Sequence, residues 1–192
     1  MAERTEDRRT RRSKRLLKQG LAELMQEKDF KSITVRDITD RMDLNRGTFY
    51  LHYADTYDLL QKLETDSLAD VQSMIDEHRE EADAGMLQSV FEPILTYIAD
   101  NREICRSLFV NNSTSNFINK VHVLIYDNGM TLLHKRYPSA RNDKLEYLLS
   151  FLAYGLIGLI KQWFDTNMAI AKGDVVGMAN QLVVASASCL FA

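Results

Sequence analysis

Residues 33–55 read ITVRDITDRMDLNRGTFYLHYAD. Thr34 is a good N-cap residue, Asp37 stands at the capping-box position three further on, and Ile33 and Ile38 occupy the two places of a hydrophobic staple. A helix therefore starts at Val35 and ends by Arg41 or Met42, with Val35, Ile38 and Met42 turned inward. Asp43, Leu44 and Asn45 interrupt it, and Asn45 caps a second helix over roughly residues 46–52. Leu44 is the apolar residue of the turn and locks the pair together. The second helix is short and contains Gly47, a poor helix former, so packing through Phe49 and Tyr53 has to hold it. Two short helices about a three-residue turn make a helix-turn-helix.

Outward from this unit, Leu16, Leu17, Leu21, Leu24 and Met25 recur at spacings of three and four, which predicts one amphipathic helix over residues 10–29. Arg9, Arg12, Lys14 and Arg15 crowd its start, where positive charge opposes the helix dipole unless an anionic partner neutralises it. On the other side, Asp55 caps a further helix with Asp58 at N3. Tyr57, Leu59, Leu60 and Leu63 carry that helix through the eighties, so head and body share it. The charge is uneven. Residues 1–62 hold fourteen Lys and Arg against eleven Asp and Glu, whereas residues 63–192 hold ten against sixteen. A basic head on an acidic body suits a polyanion bound at one end, and a solubilising basic tail is the alternative.

The run ITVRDITDRMDLNRGTFYLHYADTYDLL, with RRSKRLLKQGLAELMQEKDFKSIT before it, closely resembles the DNA-binding head of the tetracycline-repressor (TetR) family of bacterial transcription regulators over residues 8–65. The resemblance implies an all-α homodimer. Its DNA-binding domain would span residues 1–54, and a helical effector-binding and dimerisation domain would span residues 55–192. It also implies that the recognition helix enters the major groove. Arg46, Gly47 and Thr48 would then approach base edges, and Thr34, Asn45, Tyr50, His52, Tyr53 and Thr56 would lie near the DNA backbone. The chemistry fits: Arg46 can fork onto guanine, Gly47 permits close approach, and Tyr50 and His52 suit phosphates. The caps at Thr34 and Asn45 leave helix N-termini able to receive phosphate. Thr56 departs from the family, which usually carries a lysine there; an arginine-rich arm, Arg8, Arg9, Arg11 and Arg12, would compensate by reaching along or into the minor groove.

In the body, helices are expected over 87–100 (with Pro93 causing a kink or offset start), around Ile104, Leu108 and Phe109, and over 117–138. The polar run at 110–116 reads as a loop. LEYLLSFLAYGLIGLIKQWF at 145–164 is apolar nearly all round, which an exposed helix of a monomer would not be. With 173–192 it would form a four-helix dimer seam built on Leu152, Gly155, Leu156, Leu159, Val176, Leu182 and Val183. Phe109, Phe117, His122, Tyr126, Met130, Tyr154 and Trp163 could line an effector pocket or could fill the core, and no ligand class follows from them. The region FLAYGLIGLIKQWF is similar to a firmicute-type subgroup that includes activators of dihydroxyacetone kinase genes, which keeps activation open beside repression.

Other classes find little support. Cys105 and Cys189 stand alone, the four histidines never take a metal-ligand spacing, and no nucleophile triad or glycine loop occurs. No cofactor, metal or catalysis is expected. The apolar stretches include no membrane span or signal core, which makes the bacterial cytoplasm the expected location. A protein-interaction module with a degenerate head is the remaining alternative of another class. The mechanism expected is binding of double-stranded DNA at a palindromic operator, gated by an unidentified small molecule.

Overall fold

The computed structural model describes residues 8–110 and 116–191, whose regular elements are all helices, with no strand among them. They divide into two compact units. The first takes Met1–Asp66 and Glu103–Ser115; the second takes Ser67–Arg102 and Asn116–Ala192.

The first unit opens with α1 (Arg8–Glu27), whose buried stripe is Leu17, Gly20, Leu21, Ala22, Leu24 and Met25. A 3-10 turn at Phe30–Ser32 leads to α2 (Val35–Arg41) and α3 (Arg46–Tyr50). Both caps of the expected capping box are made: the Asp37 N–H donates to Thr34 Oγ1 at 3.2 Å, and the Thr34 N–H to Asp37 Oδ2 at 2.8 Å. The turn between the helices holds Asp43 at φ 50°, a left-handed conformation that aspartate tolerates better than a branched residue does. Gly20 is needed where α1 meets α2, because a Cβ there would lie 2.8 Å from Met42 Cγ. Arg41 ties α2 back to α1 with a two-pronged bond to Glu27 (3.0 and 2.7 Å). Ile38, Phe49, Leu59 and Leu63, each at most 2% exposed, close the core. Thr39 is also fully buried; its hydroxyl donates within its own helix to the Val35 carbonyl at 3.0 Å.

Helix α4 (Thr56–Glu77) starts behind a reciprocal cap, Asp58 N–H to Asp55 Oδ1 at 2.8 Å and Ala54 N–H to Asp58 Oδ2 at 3.0 Å. It does not run through the eighties. The chain breaks at His78, forms the short α5 (Arg79–Asp83), and turns at Gly85, whose φ of 91° favours glycine.

The second unit continues with α6 (Gln88–Asp100), which carries Pro93 inside, and resumes after α7 (Arg102–Phe109) with α8 (Phe117–Arg136), α9 (Asn142–Asp165) and α10 (Lys172–Phe191). Most of the loop expected at 110–116 lies outside the described residues. α8 packs on α9, and α10 on α6 and α9. Gly129 lets α8 approach closely, since a Cβ there would meet Leu149 Cδ2 at 2.5 Å. Leu133, Leu145, Leu148, Leu149, Leu152 and Ala187 form one buried cluster. The Trp163 indole N–H donates to the Ile170 carbonyl at 3.0 Å and fastens the α9–α10 turn. By length and composition α9 is apolar enough to cross a membrane, although part of its surface is packed within this unit. Burial pushes the Cys105 thiol up to about 12, so it stays protonated, whereas Cys189 is exposed on α10.

Candidate nucleic-acid interface

The short α3 presents two unlike sides. Phe49 is fully buried and Tyr53 is 5% exposed, with their rings 5.8 Å apart. Tyr50 is 60% exposed, braced edge-on against Phe49 at 5.5 Å. Arg46 and Gly47 are exposed and Thr48 is half-buried. Asn45 caps the helix, its Oδ1 accepting from the Gly47 N–H at 2.7 Å. The expected base-facing set, Arg46, Gly47 and Thr48, is thus brought together at the start of one helix, with Tyr50 beside it and the half-buried His52 just beyond.

Other expected backbone contacts sit less favourably for that role. Thr56 is only 9% exposed. Tyr53 belongs to the core, and the Thr34 hydroxyl already donates to Asp37 Oδ2 at 2.8 Å. Arg8, Arg9, Arg11 and Arg12 form no extended arm. They occupy the first turns of α1 and line one open concavity with Arg15. A helix about 10 Å across cannot thread a minor groove about 6 Å wide, so in this form the arginines suit phosphates at a groove's rim. No acidic residue sits in the first turn of α1 to offset them.

Asp37 stabilises this scaffold through its charge. The Thr34 backbone N–H foremost, then the Lys28 ammonium (2.9 Å) and the Thr34 hydroxyl, hold its carboxyl down at about 2. A depressed folded value contributes stability that is complete above the ordinary carboxylate range and is lost as pH falls toward the folded value. Asp37→Asn is therefore expected to melt below the native protein at pH 7, with the gap closing between about pH 4 and pH 2. Thermal unfolding across that range measures it, and a gap independent of pH would refute the role of the charge.

In the second unit, His122 lies against Tyr154 (4.6 Å between rings) and Tyr126 (6.1 Å, stacked). Its Nε2 is buried without a hydrogen-bond partner among the described residues. The other expected pocket residues do not all converge there. Phe117 and Trp163 are buried at 4% exposure, Met130 packs with Tyr126 on the buried cluster, and Phe109 belongs to the first unit. Among the expected seam residues, Leu152 and Val176 are buried within the chain and Val183 packs on its core, so they offer little outward surface. Gly155 and Leu182 are exposed, and Leu156 and Leu159 are half-buried. The sequence reading missed the exposed Tyr147, Phe151 and Leu190, which with Tyr154, Gly155, Gly158 and Leu182 give α9 and α10 an open apolar face. A Cβ at Gly155 or Gly158 would meet nothing within 4 Å.

Comparison with known proteins agrees with this architecture. Residues 19–63 match the family model described as bacterial regulatory proteins, tetR family, and residues 86–184 match that of a transcriptional regulator C-terminal region. Over 66 residues the chain is 38% identical to the uncharacterized HTH-type transcriptional regulator YxbF of Bacillus subtilis (strain 168), a match covering 34% of this chain and 17% of that protein. A solved structure from Syntrophomonas wolfei, described as a TetR-family transcriptional regulator, is 16% identical with a TM-score of 0.70, covering 93% of this chain and 96% of that one. The dihydroxyacetone kinase operon activator DhaS is 15% identical with a TM-score of 0.65, covering 92% and 97%. At these identities the two structures share the fold.

Proposed function

The chain belongs to the tetR family of bacterial regulatory proteins, non-catalytic regulators that bind DNA, and from that premise we propose that it is a cytoplasmic homodimeric repressor released from a palindromic operator by a small molecule. The observation that carries this reading is the division of α3. Phe49 is buried completely while Tyr50 beside it is 60% exposed, so the helix is held from behind and offered in front. In this reading residues 1–54 bind DNA, and residues 55–192 bind the effector and form the dimer. Arg46, Gly47 and Thr48 meet base edges. Asn45, Tyr50, His52 and the exposed guanidiniums of Arg8, Arg9, Arg11 and Arg12 meet phosphates.

One helix this short touches too few bases for useful selectivity. Two, set about 34–36 Å apart or a multiple of that turn, read an inverted repeat. The exposed face of α9 and α10 supports such pairing. Occupying a promoter is enough to repress it, whereas activation needs a further contact with the transcription machinery. The orphaned Nε2 of His122 supports an effector site between Tyr126 and Tyr154, where a ligand hydroxyl or carboxyl would satisfy it. Such a ligand would act through α4, whose residues divide between the two units, and only by binding the released and DNA-bound states with different affinity.

Selection from a random duplex library, followed by fluorescence anisotropy across a salt series, tests the proposal. An enriched inverted repeat is expected, bound less tightly as salt rises. Arg46→Ala should weaken binding and relax selectivity at one base pair, at a cost of about 1–3 kcal/mol. Arg12→Ala should weaken binding to all sequences and reduce the salt slope by about one. Enrichment of no sequence would sink the reading.

A further inference from the structure

Leu51 is 80% exposed, the most exposed large apolar side chain among the described residues of the head. Its direction follows from the winding of the chain. The backbone stays helical past Tyr50: Leu51 has φ −69° and ψ −22°, and its N–H donates to the Gly47 carbonyl at 3.1 Å. The Tyr53 N–H donates to the Phe49 carbonyl at 3.0 Å, which carries the winding on to Tyr53. Phe49 and Tyr53, 0% and 5% exposed, fix the direction of the core. At about 100° per residue, the position diametrically opposite them is Leu51. Gly47 and Thr48 flank it at about 40° and 60°, while the exposed Arg46 stands about 140° round, from where only its long side chain reaches the same groove. Gly47 has no side chain to shield the leucine, and only Asn45 Oδ1 lies within 4 Å of where its Cβ would be.

The most outward arc of α3 therefore consists of a bare glycine, a threonine and an exposed leucine, with no charge. A leucine left in water forgoes burial that the fold could have used. The major-groove edges of the four base pairs offer one apolar group, the 5-methyl of thymine. We infer that Leu51 is a specificity residue that packs on a thymine methyl in each operator half-site, an inference that rests on the operator-binding reading above. The contact discriminates in a definite direction. Cytosine lacks the methyl, and its N4 amine meets the leucine no better than thymine's O4 does, so the lost apolar contact sets the preference.

The full-length chain is first used to select its operator from a random duplex library. Each thymine of the enriched site is then replaced, in symmetric pairs, by uracil, which removes the 5-methyl alone. The native protein is expected to lose about fourfold per half-site at one such pair, and about fifteenfold in all, the worth of one buried carbon on each side. Leu51→Ala should bind the thymine and uracil versions of that site equally, with an unfolding curve matching the native one. Tolerance of uracil at every position by the native protein, or an unchanged thymine preference in Leu51→Ala, would overturn the contact while leaving operator binding intact. A library from which nothing is enriched would overturn the operator reading, and the contact with it.

Discussion

Phe49→Ala is expected to lower the melting temperature of the head by about 20 °C and to leave the body's transition in place. The side chain is fully buried and sits against the rings of Tyr50 at 5.5 Å and Tyr53 at 5.8 Å. Truncating a buried phenylalanine costs about 3–5 kcal/mol, through lost transfer free energy and the cavity left behind. In a unit of this size each kcal/mol is worth roughly 4–8 °C. The five-residue α3 has few backbone bonds of its own and cannot persist without that anchor. Differential scanning calorimetry checks this, with operator binding followed in parallel as temperature rises. Binding should vanish at the head's transition, well below the loss of helical signal from the body. The contrast with Leu51→Ala is diagnostic, because a residue two positions away on the opposite side of the same helix should change base preference and leave the melt alone. A Phe49→Ala protein that melts like the native one would mean that the packing behind α3 does not hold it.

These neighbours also show what the sequence could and could not reveal. The start of α2 was legible to the residue, because its signal is local: Thr34 and Asp37 satisfy each other's backbone donors, and that chemistry is written in four consecutive positions. The Asn45 cap was legible for the same reason. Helix ends were harder. Nothing at His78 announces a break, and the glycine that turns the chain comes only at Gly85, so α4 read as longer than it is. The exposure of Leu51 is not legible in the sequence, because a leucine among aromatics looks like core. Only the winding fixed by Phe49 and Tyr53 shows it pointing away. The limit at the seam is of another kind. α9 is apolar nearly all round, so pattern alone cannot say which stripe serves its own unit. α8 and α10 settle that by covering Leu145, Leu148, Leu149 and Leu152 and leaving Tyr147 and Phe151 bare. The same limit applies to Trp163, whose residue type suits a pocket or the core alike; it is buried and donates its N–H to the Ile170 carbonyl.

Phe151→Asp should turn a dimer into a monomer. Phe151 is 69% exposed, and Tyr147, Tyr154 and Leu182 around the same face are 82%, 55% and 58% exposed. An exposed carboxylate at 151 costs a lone chain almost nothing, so helicity and the body's melting point should hold. In a two-fold seam each substitution counts twice, placing two carboxylates in one dehydrated interface, a penalty of several kcal/mol per ion. Light scattering should then report about the 22.1 kDa of the single chain, against roughly twice that for the native protein. Operator affinity should fall by about two to four orders of magnitude, because the second half-site loses the effective concentration that the linked head enjoys. Gly158→Leu separates close approach from charge. Nothing lies within 4 Å of the added carbon in the single chain, and leucine is the better helix former by about 1 kcal/mol. That variant should make the monomer no less stable while weakening the dimer, the outcome expected of a partner packed closely at Gly155 and Gly158. A native protein that elutes as a monomer would refute the dimer, and a Phe151→Asp protein that stays dimeric would move the pairing surface elsewhere on the body.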